Sequence, residues 1–171
     1  MTLSRPVRTL TFVAAVAAAL APVALAPSAI AAPALTDSAR TALDAGIADE
    51  YRAEAFYAAV IDKFGAVRPF ANVIRAEQIH AAMLTGVMKT YGVTPAPNPW
   101  LGSAEIAALV PATIGEACAL GVKAEIDNKA LYDGKLIPAA AGHADVVAVF
   151  QQLRDASQNN HLPAFQRCAA R

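Results

Sequence analysis

Two of the three histidines in this 171-residue chain sit in one repeated pattern. Glu77-Gln78-Ile79-His80 is a Glu-x-x-His motif, and Gln158-Asn159-Asn160-His161 repeats it with an amide in place of the acid. A lone glutamate in a helical stretch precedes each motif, Glu50 before the first and Glu125 before the second. One Glu from each of two helices, plus a Glu-x-x-His from each of two others, is how a four-helix bundle builds a two-metal site in its core. Carboxylate oxygen and neutral imidazole nitrogen are suitable ligands for redox-active divalent ions.

The elements that must position these groups are helices. Alanine is abundant, strand-type alternation is absent, and prolines and glycines divide the chain. A first helix is expected from the cap region Thr36-Asp37-Ser38 to about Phe64. The turn Gly65 to Pro69 leads to a second, from about Phe70 to Tyr91. A proline-rich crossover, Gly92 to Trp100, follows, with a short helix over Ser103 to Leu109. Pro111 opens a third long helix, Ala112 to about Leu136. Pro138 to Gly142 turns the chain into a fourth, Ala144 to Cys168. The expected class is all-α, an antiparallel four-helix bundle with a long crossover between helices 2 and 3.

The buried stripes run through the chemistry. On helix 2 the stripe is Phe70, Val73, Glu77, His80, Leu84, Val87 and Tyr91. On helix 1 it is Ile47, Glu50, Glu54, Tyr57, Ile61 and Phe64. Helix 3 offers Cys118, Val122, Glu125, Asn128 or Lys129, Tyr132 and Leu136. Helix 4 offers Phe150, Arg154, Gln158, His161, Phe165 and Cys168. Buried carboxylates without partners are costly, so each needs a counter-charge.

In an antiparallel hairpin, residues at one height are equidistant from the turn. Glu50 and His80 have their midpoint at Gly65, and Glu125 and His161 have theirs at His143, each in a turn. Both hairpins therefore bring Glu and His to one level. Cys118 precedes Glu125 by seven residues and Cys168 follows His161 by seven. Seven residues is two helical turns, ~10 Å along the axis. Because the two helices are antiparallel, both shifts point the same way, and a Cys118–Cys168 disulfide is expected.

The first 31 residues read as a secretory signal peptide. Arg5 and Arg8 precede an apolar run from Leu10 to Leu25, and Ala29-Ile30-Ala31 offers a cleavage site. A membrane anchor is the rival reading, but Pro22 and Pro27 interrupt a run that is short for a ~20-residue span. Residues 32–171 then form one domain in a secreted or extracytoplasmic bacterial protein, an oxidising setting for the disulfide. That domain has 12 basic and 14 acidic residues, because the leader carries two of the 14 basic ones. No basic patch suggests nucleic acid. No phosphate-binding loop, dinucleotide fingerprint, Ser-His-Asp arrangement or zinc-type cysteine pair is present.

Asp49 to Tyr57, the run Arg68 to His80, and Asn160-His161-Leu162-Pro163-Ala164-Phe165 resemble the ferritin-like superfamily, with an uncharacterised bacterial ferritin-like domain family as the nearest likeness. The resemblance covers essentially all of residues 32–171. It implies a di-iron or di-manganese carboxylate centre, one or two ions per chain, reacting with dioxygen or peroxide as a small oxidant. Carried over by position, it assigns Glu50, Glu77, His80, Glu125 and His161 as ligands. The departure is Gln158, where that pattern has its fourth acid. An amide oxygen can coordinate a hard cation but brings no charge. Glu54, one turn from Glu50, and Asp127 are the candidates to compensate. A weakened second position, a mononuclear site, or a site that has lost its metal and remains as core structure are the outcomes open. Function divides accordingly between a metal-dependent oxidase or peroxidase and a non-catalytic helical binding module with a degenerate site. Tyr57 and Tyr132, seven residues after Glu50 and Glu125, are within reach of a ligand carboxylate, with packing as the alternative. His143 is expected to be solvated in its turn. Trp100 is expected to anchor the crossover on the helices.

Overall fold

The computed structural model describes residues 34–171, so the expected signal peptide lies outside the described residues. These residues fold into five helices, with no strand among them. Helix α1 spans Asp37–Phe64, α2 Phe70–Thr90 and the short α3 Ala104–Ala108. Helix α4 runs from Ile114–Leu131 through a π turn at Tyr132–Leu136 into Ile137–Ala139. Helix α5 runs from Ala144–Ala156 through a second π turn at Ser157–His161 into Leu162–Ala169.

Local chemistry sets the ends. The Thr36 hydroxyl accepts from the Ala39 N–H and starts α1. Gly65, at φ +82°, stops it in a conformation that side chains disfavour. Thr113 and Glu116 form a reciprocal capping box at the start of α4.

The chain turns within the expected Pro138 to Gly142 segment, but only from Ala140 onward. The helix passes through Pro138 to Ala139, and Pro163 likewise lies inside α5. Each proline directly follows the residue that closes a π turn, where the Ile137 N–H reaches the Tyr132 carbonyl and the Leu162 N–H the Ser157 carbonyl. A proline in a regular helix removes one hydrogen bond and clashes with the carbonyl four residues back. The wider i→i+5 turn accommodates the ring without ending the helix.

Two apolar layers form the interior. One gathers Leu43, Leu84, Met88, Tyr132, Phe150 and Leu153. The other gathers Val60, Tyr57, Phe70, Ala117, Cys118 and Phe165. In the second, Tyr57, Phe70 and Phe165 interlock, with ring centroids 5.2–5.6 Å apart. Gly121 makes room for this aromatic group, since a Cβ there would stand 2.5 Å from the Phe165 ring. The buried glutamates and histidines belong to neither layer. The Cys118–Cys168 disulfide is present, with Cα atoms 5.8 Å apart, and ties α4 to the end of α5. Among the described residues no helix is long and apolar enough to cross a membrane.

His143 is buried, not solvated. Its Nε2 accepts from the Thr36 N–H at 3.2 Å, and its ring meets Tyr91 edge-on. It fastens the start of α1 to the α4–α5 turn, satisfying a backbone donor that the helix itself leaves unpaired.

Candidate metal centre

Glu50 on α1, Glu77 and His80 on α2, Glu125 on α4 and His161 on the π turn of α5 converge in one buried layer. His80 Nδ1 lies 3.1 Å from Glu50 Oε2 and 3.0 Å from Glu77 Oε2. His161 Nδ1 lies 3.2 Å from Glu77 Oε1 and 3.6 Å from Glu125 Oε1. The two imidazoles stack, with centroids 5.4 Å apart. Two ligand groups result, Glu50–Glu77–His80 and Glu77–Glu125–His161, each with its donor atoms within 4.8 Å of one another. Glu77 belongs to both and turns one oxygen to each.

The donor set fits divalent ions. One buried atom points the same way. His161 Nδ1 makes no hydrogen bond, although two carboxylate oxygens face it. A nitrogen so placed, close to anionic oxygens but not aligned for a proton between them, suits an ion shared by all three.

Without metal, the cluster balances its own charge. Burial disfavours charge on His80, but Glu50 and Glu77 override it and raise its pKa to about 9. Burial likewise opposes charge on His161, and Glu125 and Glu77 lift it to about 10. Burial raises the Glu77 carboxyl, but His161 and His80 outweigh that and hold it down at about 2. For Glu50 burial wins, and its pKa rises to about 8 despite His80. Burial also lifts the neighbouring Asp49 to about 6, with Asn128 opposing.

The tyrosines cross between hairpins. Tyr132 on α4 donates to Glu50 Oε1 at 2.5 Å, and Tyr57 on α1 donates to Glu125 Oε1 at 3.0 Å. Each follows one glutamate by seven residues and serves the other. Burial keeps both phenols far above their ordinary pKa, so they remain donors.

Gln158 and Glu54 are not in either ligand group. The Gln158 amide nitrogen donates to the Glu125 backbone carbonyl at 2.7 Å. The inward stripe of α5 is Phe150, Leu153, Ser157 and His161, with Arg154 and Gln158 only half-buried. The expected stripe ran through Arg154 and Gln158 because it assumed a regular helix. The wider π turn carries Gln158 off the face of His161 and leaves Ser157 on it, and Ser157 takes the place facing Glu125, donating to its Oε2. Sequence reasoning missed Ser157. The signal for it was Pro163, a proline inside an otherwise helical pattern. Glu54 accepts from Gln78 at 3.1 Å and from Asn98 at 3.0 Å, which tethers the crossover. Asp127 is exposed and pairs with Lys123. Arg154 pairs with Asp133 at 2.6 Å. Trp100 lies on the crossover with the Arg52 guanidinium 4.7 Å from its ring centre.

Restoring the acid, Gln158→Glu, is therefore expected to leave metal affinity unchanged. It should cost about 1–3 kcal/mol of stability, because a carboxylate would face the Glu125 carbonyl in place of a donor. Metal titrations and thermal melts of the two proteins check this. A gain in affinity would mean that the side chain reorients inward.

No family model matches the chain, and no curated protein matches it. In structure it is similar to a hypothetical protein from Methanococcus jannaschii DSM 2661, solved by crystallography. The TM-score is 0.71 at 21% identity, over 84% of this chain and 86% of that one. At that identity the likeness concerns the fold alone.

Proposed function

We propose that this chain is an exported, ferritin-like four-helix-bundle protein holding a dinuclear iron or manganese carboxylate centre. The observation that carries the reading is Glu77, whose two oxygens address two separate Glu/His groups. In this reading Glu50, Glu77 and His80 hold one ion, and Glu77, Glu125 and His161 hold the other. A pair of such ions, when bound, would supply electrons to dioxygen or peroxide. The protein's own part is to fix both imidazoles, to keep Tyr57 and Tyr132 protonated against the carboxylates, and to hold the layer between two apolar ones. The disulfide supports an oxidising, extracytoplasmic location.

Reconstitution with ferrous iron in air tests the reading. The expected result is one to two irons per chain, with the absorption of a ferric centre and consumption of oxygen or peroxide that depends on metal. The His80→Ala, His161→Ala double variant should lose this binding. If the parent protein binds iron, manganese and zinc no better than that variant, the carboxylate layer is core structure and not a metal site. Stoichiometric metal without oxidant turnover would instead favour a binding module.

A further inference from the structure

A cavity of about 610 Å³ opens on the carboxylate layer between α1, α3 and α4. Glu50, Glu77, His80 and Glu125 form its buried end. Phe56, Trp100, Ile106, Leu109 and Leu120 form much of the rest. Leu109 and Leu120 are 57% and 42% exposed, which places them at its mouth. Its volume is that of a small-molecule site, about 300–1,000 Å³, and a largely apolar wall with a few convergent polar groups is the usual character of one.

The donor count constrains what enters. Each ion would take three protein donors, two carboxylates and one imidazole. The other polar groups nearby are committed elsewhere: Asp49 lines the cavity but accepts from Asn128, Gln158 is turned to a backbone carbonyl, Glu54 is held by Gln78 and Asn98, and Asp127 faces outward. Water could complete the ions but would leave the apolar wall wet. An organic acid satisfies both ends, because its carboxylate would meet the metal and its hydrocarbon body displaces water from the wall.

We propose that this cavity binds an apolar monocarboxylate head first, its carboxylate on the metal pair and its hydrocarbon body against Phe56, Ile106, Leu109 and Leu120. The proposal rests on the metal reading above, and the experiment separates the two. Trp100 is the chain's single tryptophan and lines the cavity, so its emission reports occupancy. Zinc content per chain is measured first, as zinc is redox-inert. Octanoate and 1-octanol are then titrated into zinc-loaded and metal-free protein, followed by Trp100 emission and calorimetry.

Octanoate should bind the zinc-loaded protein at least about ten-fold more tightly than octanol, and the preference should vanish without metal. Leu109→Glu, at the exposed mouth, and Ala53→Phe, which narrows the cavity, should each weaken octanoate about ten-fold while zinc content is retained. Equal affinity for acid and alcohol, or no response to octanoate in protein that carries zinc, overturns the proposal and leaves the metal centre standing. Failure to retain zinc overturns the metal reading, and this proposal with it.

Discussion

Replacing Glu77 with alanine should empty both metal positions at once, whereas Glu50→Ala should empty one. Glu77 is the only residue common to the two ligand groups among the described residues. Losing it removes an oxygen from His80 and another from His161, while Glu50→Ala leaves Glu77, Glu125 and His161 in place. The metal-free protein should suffer too. Glu77 is the one carboxylate that helps to hold both histidines protonated, beside Glu50 at His80 and Glu125 at His161, and breaking a buried ion pair on one side costs about 3–5 kcal/mol. At this chain length that is a fall in Tm of roughly 10 °C or more. Glu77→Gln keeps the shape and loses the charge, so it should resemble alanine in metal content and exceed it in stability. Elemental analysis and thermal melts of the three variants are the check. Two ions retained in Glu77→Ala would refute the shared-carboxylate geometry.

The metal-free protein should lose stability as pH rises from about 6.5 to 10, and bound metal should abolish most of that loss. His80 and His161 have folded pKa values of about 9 and 10, above the ordinary imidazole value of 6.5. A raised pKa contributes stability that is complete below 6.5 and disappears as pH climbs through the folded value. Glu50, raised from 4.5 to about 8, adds a loss that begins lower and ends sooner, and Asp49, raised from 3.8 to about 6, acts in the same direction. Glu77 has the opposite sign. Its carboxyl is depressed from 4.5 to about 2, so its contribution is present above 4.5 and lost as pH falls toward 2. The layer therefore supports the fold best near pH 4.5 and declines above it, most steeply between about 6.5 and 8, where Glu50, His80 and His161 all contribute to the loss. Metal displaces the protons of Glu50, His80 and His161, so its affinity should climb with pH over the same interval. Thermal melts at a series of pH values, with and without zinc, would show the two profiles diverging. Parallel profiles would mean that metal binds elsewhere.

Much of this site is legible in the sequence because it depends on distances along regular helices. The midpoints at Gly65 and His143 place His80 against Glu50 and His161 near Glu125, and those pairs stand at 3.1 and 3.6 Å. The seven-residue offsets of Cys118 and Cys168 lead to a bridge that is present. What is not legible arises where regularity stops. The π turn at Ser157–His161 slips the inward face by one residue, so Ser157 meets Glu125 and Gln158 does not. Helical periodicity has no term for such a slip, and only Pro163 marks it. His143 looked solvated because its partner, the Thr36 backbone, is 107 residues away. The cavity depends on where α3 settles against α1 and α4, which five residues of helix do not encode locally.

The crossed tyrosines have a consequence for how the molecule comes together. The α1–α2 hairpin carries an acceptor, Glu50, whose tyrosine donor lies on α4. The α4–α5 hairpin carries Glu125, whose tyrosine donor lies on α1. Neither hairpin can satisfy its own buried carboxylate from its own tyrosine, although each has one two turns away. Half of this chain is thus not half of the structure. Completing the ion-binding layer therefore requires the two halves to join. With only the first hairpin in place, Glu50, Glu77 and His80 are on hand, but Glu125, His161 and the Tyr132 hydroxyl are not.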